Sequence, residues 1–205
     1  MGTLNQVVIG TRNEGKIAEL RELLGRTGVE LLGLSAFEGL PDVPEDGSTF
    51  GENAAQKASA YARLTGNWAL ADDSGLVVPA LGGRPGVFSA RFAGKGASDA
   101  ENTVKLLEKM RDLDSEERSA CFVCEMAVAD PSGAVIFRSE GRCEGTISHK
   151  PFGKNGFGYD PVFIPDGFSE TFGELPDDVK SGISHRSAAA SKIADFFVKF
   201  TGRYT

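Results

Sequence analysis

Near the N-terminus an apolar run, Val7-Val8-Ile9-Gly10, leads into the polar stretch Thr11-Arg12-Asn13-Glu14-Gly15 and then Lys16, Ile17, Leu20, Leu23 and Leu24. The apolar positions after Lys16 recur at helical spacing, so the segment predicts a strand, a tight loop and a helix. Asn13 is placed to cap that helix, and Gly25 with Gly28 brackets its end. Residues 29–34 read as a second strand, after which Pro41, Pro44, Asp46 and Gly47 mark a loop. Thr49-Phe50-Gly51-Glu52 has the T-x-x-E spacing of a capping box, in which both side chains accept free N–H groups at a helix start. Ala54, Ala55, Ala58, Tyr61 and Ala62 continue that helix.

Residues 68–71 predict a strand that ends at Asp72-Asp73-Ser74-Gly75. From 76 to 96 the glycines, Pro79 and Pro85 point to irregular backbone, and Ser98-Asp99-Ala100-Glu101 predicts a capped helix ending near Met110. Residues 118–129 and 134–149 are rich in strand formers, and Asp130-Pro131-Ser132-Gly133 between them is a turn signal, so they predict an antiparallel hairpin within a second lobe. The chain then passes through Phe157-Gly158-Tyr159-Asp160-Pro161 to a strand at Val162-Phe163-Ile164. It continues to a last helix carrying Ile193, Phe196, Phe197 and Phe200. No internal repeat is present.

A chain of 205 residues can bury one substantial core, as one domain or as two closely joined lobes. Its 22 basic and 29 acidic residues sum to −7 with no compensating Lys/Arg run, which argues against a nucleic-acid partner. A small triphosphate stays possible, since a few cations and a metal suffice. There is no basic leader, and no stretch approaches the ~18 apolar residues of a membrane span, so the expected location is cytoplasmic, with no membrane partner. Cys121 and Cys124 form a CxxC in an apolar run. On a strand, positions three apart face opposite ways, so buried reduced thiols are expected.

Several segments could carry chemistry, and each also has a purely structural explanation. The helix start at 11–16 offers free N–H groups, a partial positive charge and the side chains of Thr11, Asn13 and Lys16, all suited to a phosphate. It is equally an ordinary capped helix, and it lacks the glycine pattern of a P-loop. Asp72 and Asp73 could hold Mg²⁺ or activate water, or form a polar turn. Glu52 could ligate a metal or only complete its cap. The rings of Phe157 and Tyr159, set between residues that permit sharp turns, could meet a flat base or pack the loop. Ser184-His185-Arg186-Ser187 concentrates donors ahead of the last helix, where Arg186 could aim its planar fork at a carbonyl or phosphate oxygen. His149 has no Cys/His/Asp cluster around it, so zinc is not expected.

Taken in order, Thr11-Arg12-Asn13-Glu14-Gly15-Lys16, Phe50-Gly51-Glu52-Asn53-Ala54, Ala71-Asp72-Asp73-Ser74-Gly75-Leu76 and Pro85-Gly86-Val87-Phe88-Ser89-Ala90-Arg91-Phe92 resemble the inosine-triphosphate pyrophosphatase family. Gly156-Phe157-Gly158-Tyr159-Asp160-Pro161, Thr171-Phe172-Gly173-Glu174, Lys180 and Ser184-His185-Arg186 extend the resemblance to the last helix. It implies a homodimeric α/β protein with an elongated mixed β-sheet, flanking helices and two lobes with the active-site cleft between them. The whole chain, 1–205, would be a single domain of this kind, with the hairpin at about 118–149 in the second lobe. The implied reaction is hydrolysis of ITP, dITP or XTP to the monophosphate and pyrophosphate, which keeps deaminated purines out of DNA and RNA.

Carried over by motif, Thr11, Arg12, Asn13, Glu14, Gly15 and Lys16 would hold the phosphates, and Asp73 would be the metal-linked general base with Ser74 beside it on the substrate. Glu52 and Asp72 would be further ligands of Mg²⁺. Phe157, Gly158, Tyr159 and Asp160 would meet the base, and Lys180, His185 and Arg186 would complete the nucleotide site. An arginine donor facing a 6-oxo group would be left unpaired by adenine, which is one way to reject ATP. The family often has arginine where this chain has Phe152, with Lys154 close by. Two other readings compete with hydrolysis of non-standard purines. One is a nucleotide sensor that binds without hydrolysing, and the other is a pyrophosphatase for modified pyrimidines.

Overall fold

The structure, a computed structural model, describes residues 4–202; residues 1–3 and 203–205 lie outside them. Strands β1 (Gln6–Ile9), β2 (Glu30–Gly33), β3 (Trp68–Val77), β4 (Ser119–Ala129), β5 (Val135–Ile147) and β6 (Phe163–Pro165) form one sheet in the order β2-β1-β3-β4-β5-β6. β1 pairs in parallel with β2 and β3, and β5 pairs antiparallel with β6, so the sheet is mixed. The helices are α1 (Glu14–Leu24), α2 (Phe50–Thr65), α3 (Asp99–Lys109), α4 (Asp177–Ile183) and α5 (His185–Thr201). This is the α/β architecture with flanking helices that the sequence led us to expect.

Local signals act as their chemistry dictates. Asn13 caps α1 by accepting from the Lys16 N–H at 3.0 Å. Thr49 and Glu52 form a complete capping box on α2, as do Ser98 and Glu101 on α3. Asp130 closes the turn between β4 and β5 by accepting from Ser132 and Ala134.

Two segments differ from expectation. The string Asp72-Asp73-Ser74-Gly75 is not a turn after β3: the strand continues through it to Val77. His185 and Arg186 do not precede the last helix but begin it. The first difference was not legible locally, because acidic and glycine residues disfavour strands in general and only burial among neighbours holds them there.

The chain divides into two compact units. The first comprises the chain up to Asp73, Cys124–Gly141 and the chain from Arg186 on; the second comprises Ser74–Val123 and Arg142–His185. β3, β4 and β5 therefore each give residues to both. In the first unit β1 is apolar on both faces, as expected of a strand inside a parallel array. Val7 and Ile9 pack with Leu20, Leu24, Trp68, Leu70, Ile193 and Phe197, whereas Val8 packs with Ala54, Ala58, Tyr61, Ala69 and Ala71. One face thus belongs to α1 and α5 and the other to α2.

In the second unit Leu76, Leu106, Met110, Phe122, Phe163 and Phe172 share one core with Tyr159. Gly75 is required where β3 enters it, because a Cβ there would collide with Ser89 and the Gly86 carbonyl. All three cysteines are free and buried, with burial pushing the thiols of Cys121 and Cys124 up to about 12. No helix among the described residues is long and apolar enough to cross a membrane.

Candidate active site

The unexpected length of β3 organises the site in the first unit. Successive strand residues point to opposite faces, so Asp72 and Asp73 cannot act as a pair. Asp72 turns to the α1 and α5 face, where its Oδ2 lies 2.9 Å from Lys16 Nζ and 3.3 Å from Arg186 Nη2. Arg186 Nη1 reaches Glu19 of α1 at 2.5 Å. Asp72 is fully buried. Burial alone would raise its pKa, but Lys16, Arg186 and Lys57 outweigh that and hold it well below the usual carboxylate range.

Asp73 turns to the α2 face. Its Oδ2 accepts from Asn53 Nδ2 at 2.8 Å, and its Oδ1 lies 3.6 Å from Lys57 Nζ, which also contacts Glu45 at 2.6 Å. Burial raises the Asp73 pKa above its ordinary value, and Lys57, the Asn53 hydrogen bond and Lys16 offset this only in part. Burial would lower the Lys57 pKa, but Asp73, Asp72 and Glu45 reverse the shift and keep it charged. The two aspartates therefore differ in kind: Asp72 is a permanent anion between cations, while Asp73 is a carboxylate of raised basicity.

The loop before α1 is open to solvent at Arg12, Asn13 and Glu14, with Thr11, Gly15 and Lys16 partly covered. Thr11 Oγ1 accepts from the Asn13 N–H at 3.2 Å, which fixes the bend into the helix start. Arg12 is turned aside: Nε donates to Asp42 at 2.8 Å and Nη2 to the Leu40 carbonyl at 2.8 Å, tying this loop to the one that follows β2. The N-terminal N–H groups of α1 and the ammonium of Lys16, aimed by Asp72, are what this end offers an anion.

The second unit holds the aromatic loop. Asp160 Oδ2 accepts from the Phe157 N–H at 2.8 Å and from Lys180 Nζ at 2.7 Å, and Lys180 Nζ sits 4.9 Å from the Phe157 ring centroid. Tyr159 is buried and its hydroxyl donates to the Ser89 carbonyl at 2.8 Å. The ring of His185 stacks on Phe122 at 4.7 Å. Ser74 is partly covered on β3 of the same unit. Phe152 is exposed, with Lys150 Nζ 5.1 Å from its ring centroid.

Whether Mg²⁺ suits these residues can be judged from the donors. Glu52 is ionised: its Oε2 accepts from the Ser48 N–H and hydroxyl at 2.7 Å, and these bonds hold its pKa below the usual value. It directly precedes Asn53, which holds Asp73. No group of three or more Asp, Glu, His or Cys side chains converges among the described residues. That is no all-protein cage, but Mg²⁺ commonly binds through one or two carboxylates and takes its remaining oxygens from water and phosphate. Asp73 and Glu52 fit that role; Asp72 Oδ2 is engaged by both Lys16 and Arg186.

Sequence reasoning gives Asn53 no role although it stands in one of the quoted motifs, and it does not single out Lys57 or Glu19. A signal existed for the first two: they sit at i and i+4 on a helix face otherwise made of Ala54, Ala58, Tyr61 and Ala62, where an amide and an ammonium stand out. Glu19 lies one turn after Lys16, a spacing common on any exposed helix, so nothing marked it.

The chain is 46% identical over 187 residues to a dITP/XTP pyrophosphatase of Desulforamulus reducens, covering 91% of this chain and 92% of that one. It is 45% identical over 192 residues to a dITP/XTP pyrophosphatase of Geobacter sulfurreducens, covering 94% and 96%. A HAM1 protein from Coxiella burnetii superposes with a TM-score of 0.86 at 42% identity, covering 95% of this chain and 98% of that one. The model of the Ham1 family matches residues 7–196, and the chain belongs to that family.

Proposed function

We propose that this chain is a nucleoside-triphosphate pyrophosphatase that hydrolyses ITP, dITP and XTP to the monophosphate and pyrophosphate, and so clears deaminated purines from the nucleotide pool. The observation that carries the reading is the opposed placement of the two aspartates on β3. A binding protein needs cations near a phosphate, which Lys16 supplies, but it has no use for a nearby carboxylate of raised pKa. A hydrolase does, because that group can take a proton from water.

In this reading Lys16 and the N-terminal amides of α1 bind the phosphates, with Thr11, Asn13, Glu14 and Gly15 shaping the loop. Asp73, held on one oxygen by Asn53, accepts the proton of the water that attacks the α-phosphorus, and pyrophosphate leaves in line. Lys57 keeps the Asp73 carboxylate oriented and limits the rise in its pKa. Asp73 and Glu52 would hold Mg²⁺, which when bound lowers the charge of the triphosphate and the pKa of water. Asp72 serves by aiming Lys16 rather than as a ligand.

The base falls to Phe157, Gly158, Tyr159 and Asp160, with Lys180 and His185 beside them and Ser74 on the substrate. Arg186 enters through Asp72 and Glu19, since both terminal nitrogens of its guanidinium are engaged there. Rejection of adenine is therefore assigned first to the aromatic loop. A homodimer and a cytoplasmic location belong to the same proposal.

A panel of ITP, dITP, XTP, GTP, ATP and modified pyrimidine triphosphates, each with and without Mg²⁺, tests it. The expected result is Mg²⁺-dependent pyrophosphate release that is fastest with ITP, dITP or XTP. Binding without turnover would instead support a sensor, and preference for a modified pyrimidine would overturn the purine assignment. Light scattering at micromolar concentration should give twice the chain mass.

A further inference from the structure

The loop at 156–160 is gripped from behind by α3. The Gly158 N–H donates to Asp99 Oδ2 at 2.7 Å, and Thr103, one turn further along α3, donates from Oγ1 to the Gly158 carbonyl at 3.4 Å. Both polar groups of this residue are thus met by a single helix. Gly158 has φ +64, a conformation that favours glycine, so the residue cannot contribute a side chain of its own to fix the loop. Position has to come from outside.

α3 is suited to supply it. Leu106 and Met110 anchor it in the core of the second unit, and its start is fixed by the Ser98 and Glu101 capping box. Asp99 is the first residue of the helix, where the partial positive charge favours a carboxylate, and a charged acceptor makes a stronger bond to an amide than a neutral one. Asn102 makes the same kind of grip on a second loop: its Oδ1 accepts from the Ala93 N–H at 2.7 Å and its Nδ2 donates to the Ala90 carbonyl at 3.2 Å. Burial, and then the Asp99 carboxylate, raise the Tyr159 pKa, so its phenol stays protonated and keeps its bond to Ser89. Polar side chains on the first turns of α3 thus act as a rack for the loops around the aromatic motif.

We propose that Asp99 is a positioning residue for nucleobase recognition: it fixes the Gly158 peptide, and through it the adjacent Phe157 ring, from the first turn of α3. This rests on the reading of 156–160 as the base-contacting loop. Asp99 touches neither phosphate nor water in this account, so its loss should weaken substrate binding while the chemical step is kept.

The test uses the full chain with Asp99→Ala and Asp99→Asn, read by ITP and XTP kinetics and by hydrogen exchange of the segment 155–160 and of α3. Asp99→Ala should raise KM about tenfold, near the lower end of what losing one hydrogen bond to a charged group costs, with kcat within about twofold of wild type. Exchange in 155–160 should quicken while that in α3 stays as in wild type. Asp99→Asn retains an acceptor oxygen and should restore most of both properties. Unchanged KM and exchange in Asp99→Ala would overturn the proposal, as would faster exchange throughout α3 or no recovery with asparagine. If wild type hydrolyses neither triphosphate, the functional reading fails and the nucleobase role with it, while the exchange data still decide whether the grip exists.

Discussion

The two units carry their candidate groups by opposite means. In the first, the candidate side chains stand on regular elements, β3, α1, α2 and α5, and are set by ion pairs, Lys16 and Arg186 on Asp72 and Lys57 on Asp73, with a hydrogen bond from Asn53 to Asp73. In the second, the aromatic residues stand on a loop, and backbone hydrogen bonds do most of the fixing: Phe157 N–H to Asp160 and Gly158 N–H to Asp99. The difference matches the tasks proposed for them. Phosphate chemistry needs charges at fixed points that do not relax during reaction, which regular elements supply. A flat base needs a ring at the correct height and tilt, and a turn around glycine can present one.

Removing the proposed base of the first unit should have the largest effect. Asp73→Asn is expected to lower kcat for ITP by about 10³-fold, within the usual range for a general base, with an unchanged circular-dichroism spectrum. A variant keeping more than a tenth of wild-type kcat would take Asp73 out of the mechanism.

Next in size is the buried ion cluster. Arg186→Ala leaves Asp72 buried with one cation fewer, and breaking such pairs costs about 3–5 kcal/mol. The expected readout is a clearly lowered urea midpoint, and it should be partly recovered in the double variant Arg186→Ala with Asp72→Asn. A midpoint close to wild type in the single variant would mean that the cluster contributes little to the fold.

A smaller effect is expected across the second unit. Phe157→Ala should raise KM for ITP about tenfold with kcat nearly kept, since stacking on one base is worth about 1–3 kcal/mol. A fall in kcat at constant KM would move Phe157 from binding to chemistry and erase the contrast between the units.

The smallest effect concerns pH. Asp73 must be deprotonated to accept a proton, and its pKa is raised, so activity is lost as pH falls through a value above the ordinary 3.8. The acid limb of kcat/KM should therefore lie above 3.8, and should move higher in Lys57→Met, which removes the main opposing charge. Asp72 has the opposite sign: its pKa is lowered, so its stabilising contribution is present above 3.8 and fades as pH falls toward its lower folded value. Asp72→Asn should accordingly flatten the acid side of the stability curve without moving the activity limb.

Much of this was legible in the sequence, and what was not has a common cause. The capped starts of α1, α2 and α3 and the turn at 130–133 depend on residues a few positions apart, and they appear where their side chains demand. The course of β3 through Asp72 and Asp73 depends on partners far along the chain, Lys16, Arg186, Asn53 and Lys57, which no local pattern contains. The same is true of Arg12, whose partner Asp42 lies 30 residues away, and of Asp99, whose partner lies 59 residues away. Motif order nominated the candidate residues; the face each one occupies required the fold.

The central claim is that water attacks the α-phosphorus and pyrophosphate leaves intact. Hydrolysis of ITP in ¹⁸O-labelled water, with Mg²⁺ and limiting enzyme, tests it by mass spectrometry of the products. Label in the inosine monophosphate with unlabelled pyrophosphate is the expected result; label in the pyrophosphate, or release of orthophosphate, would contradict it.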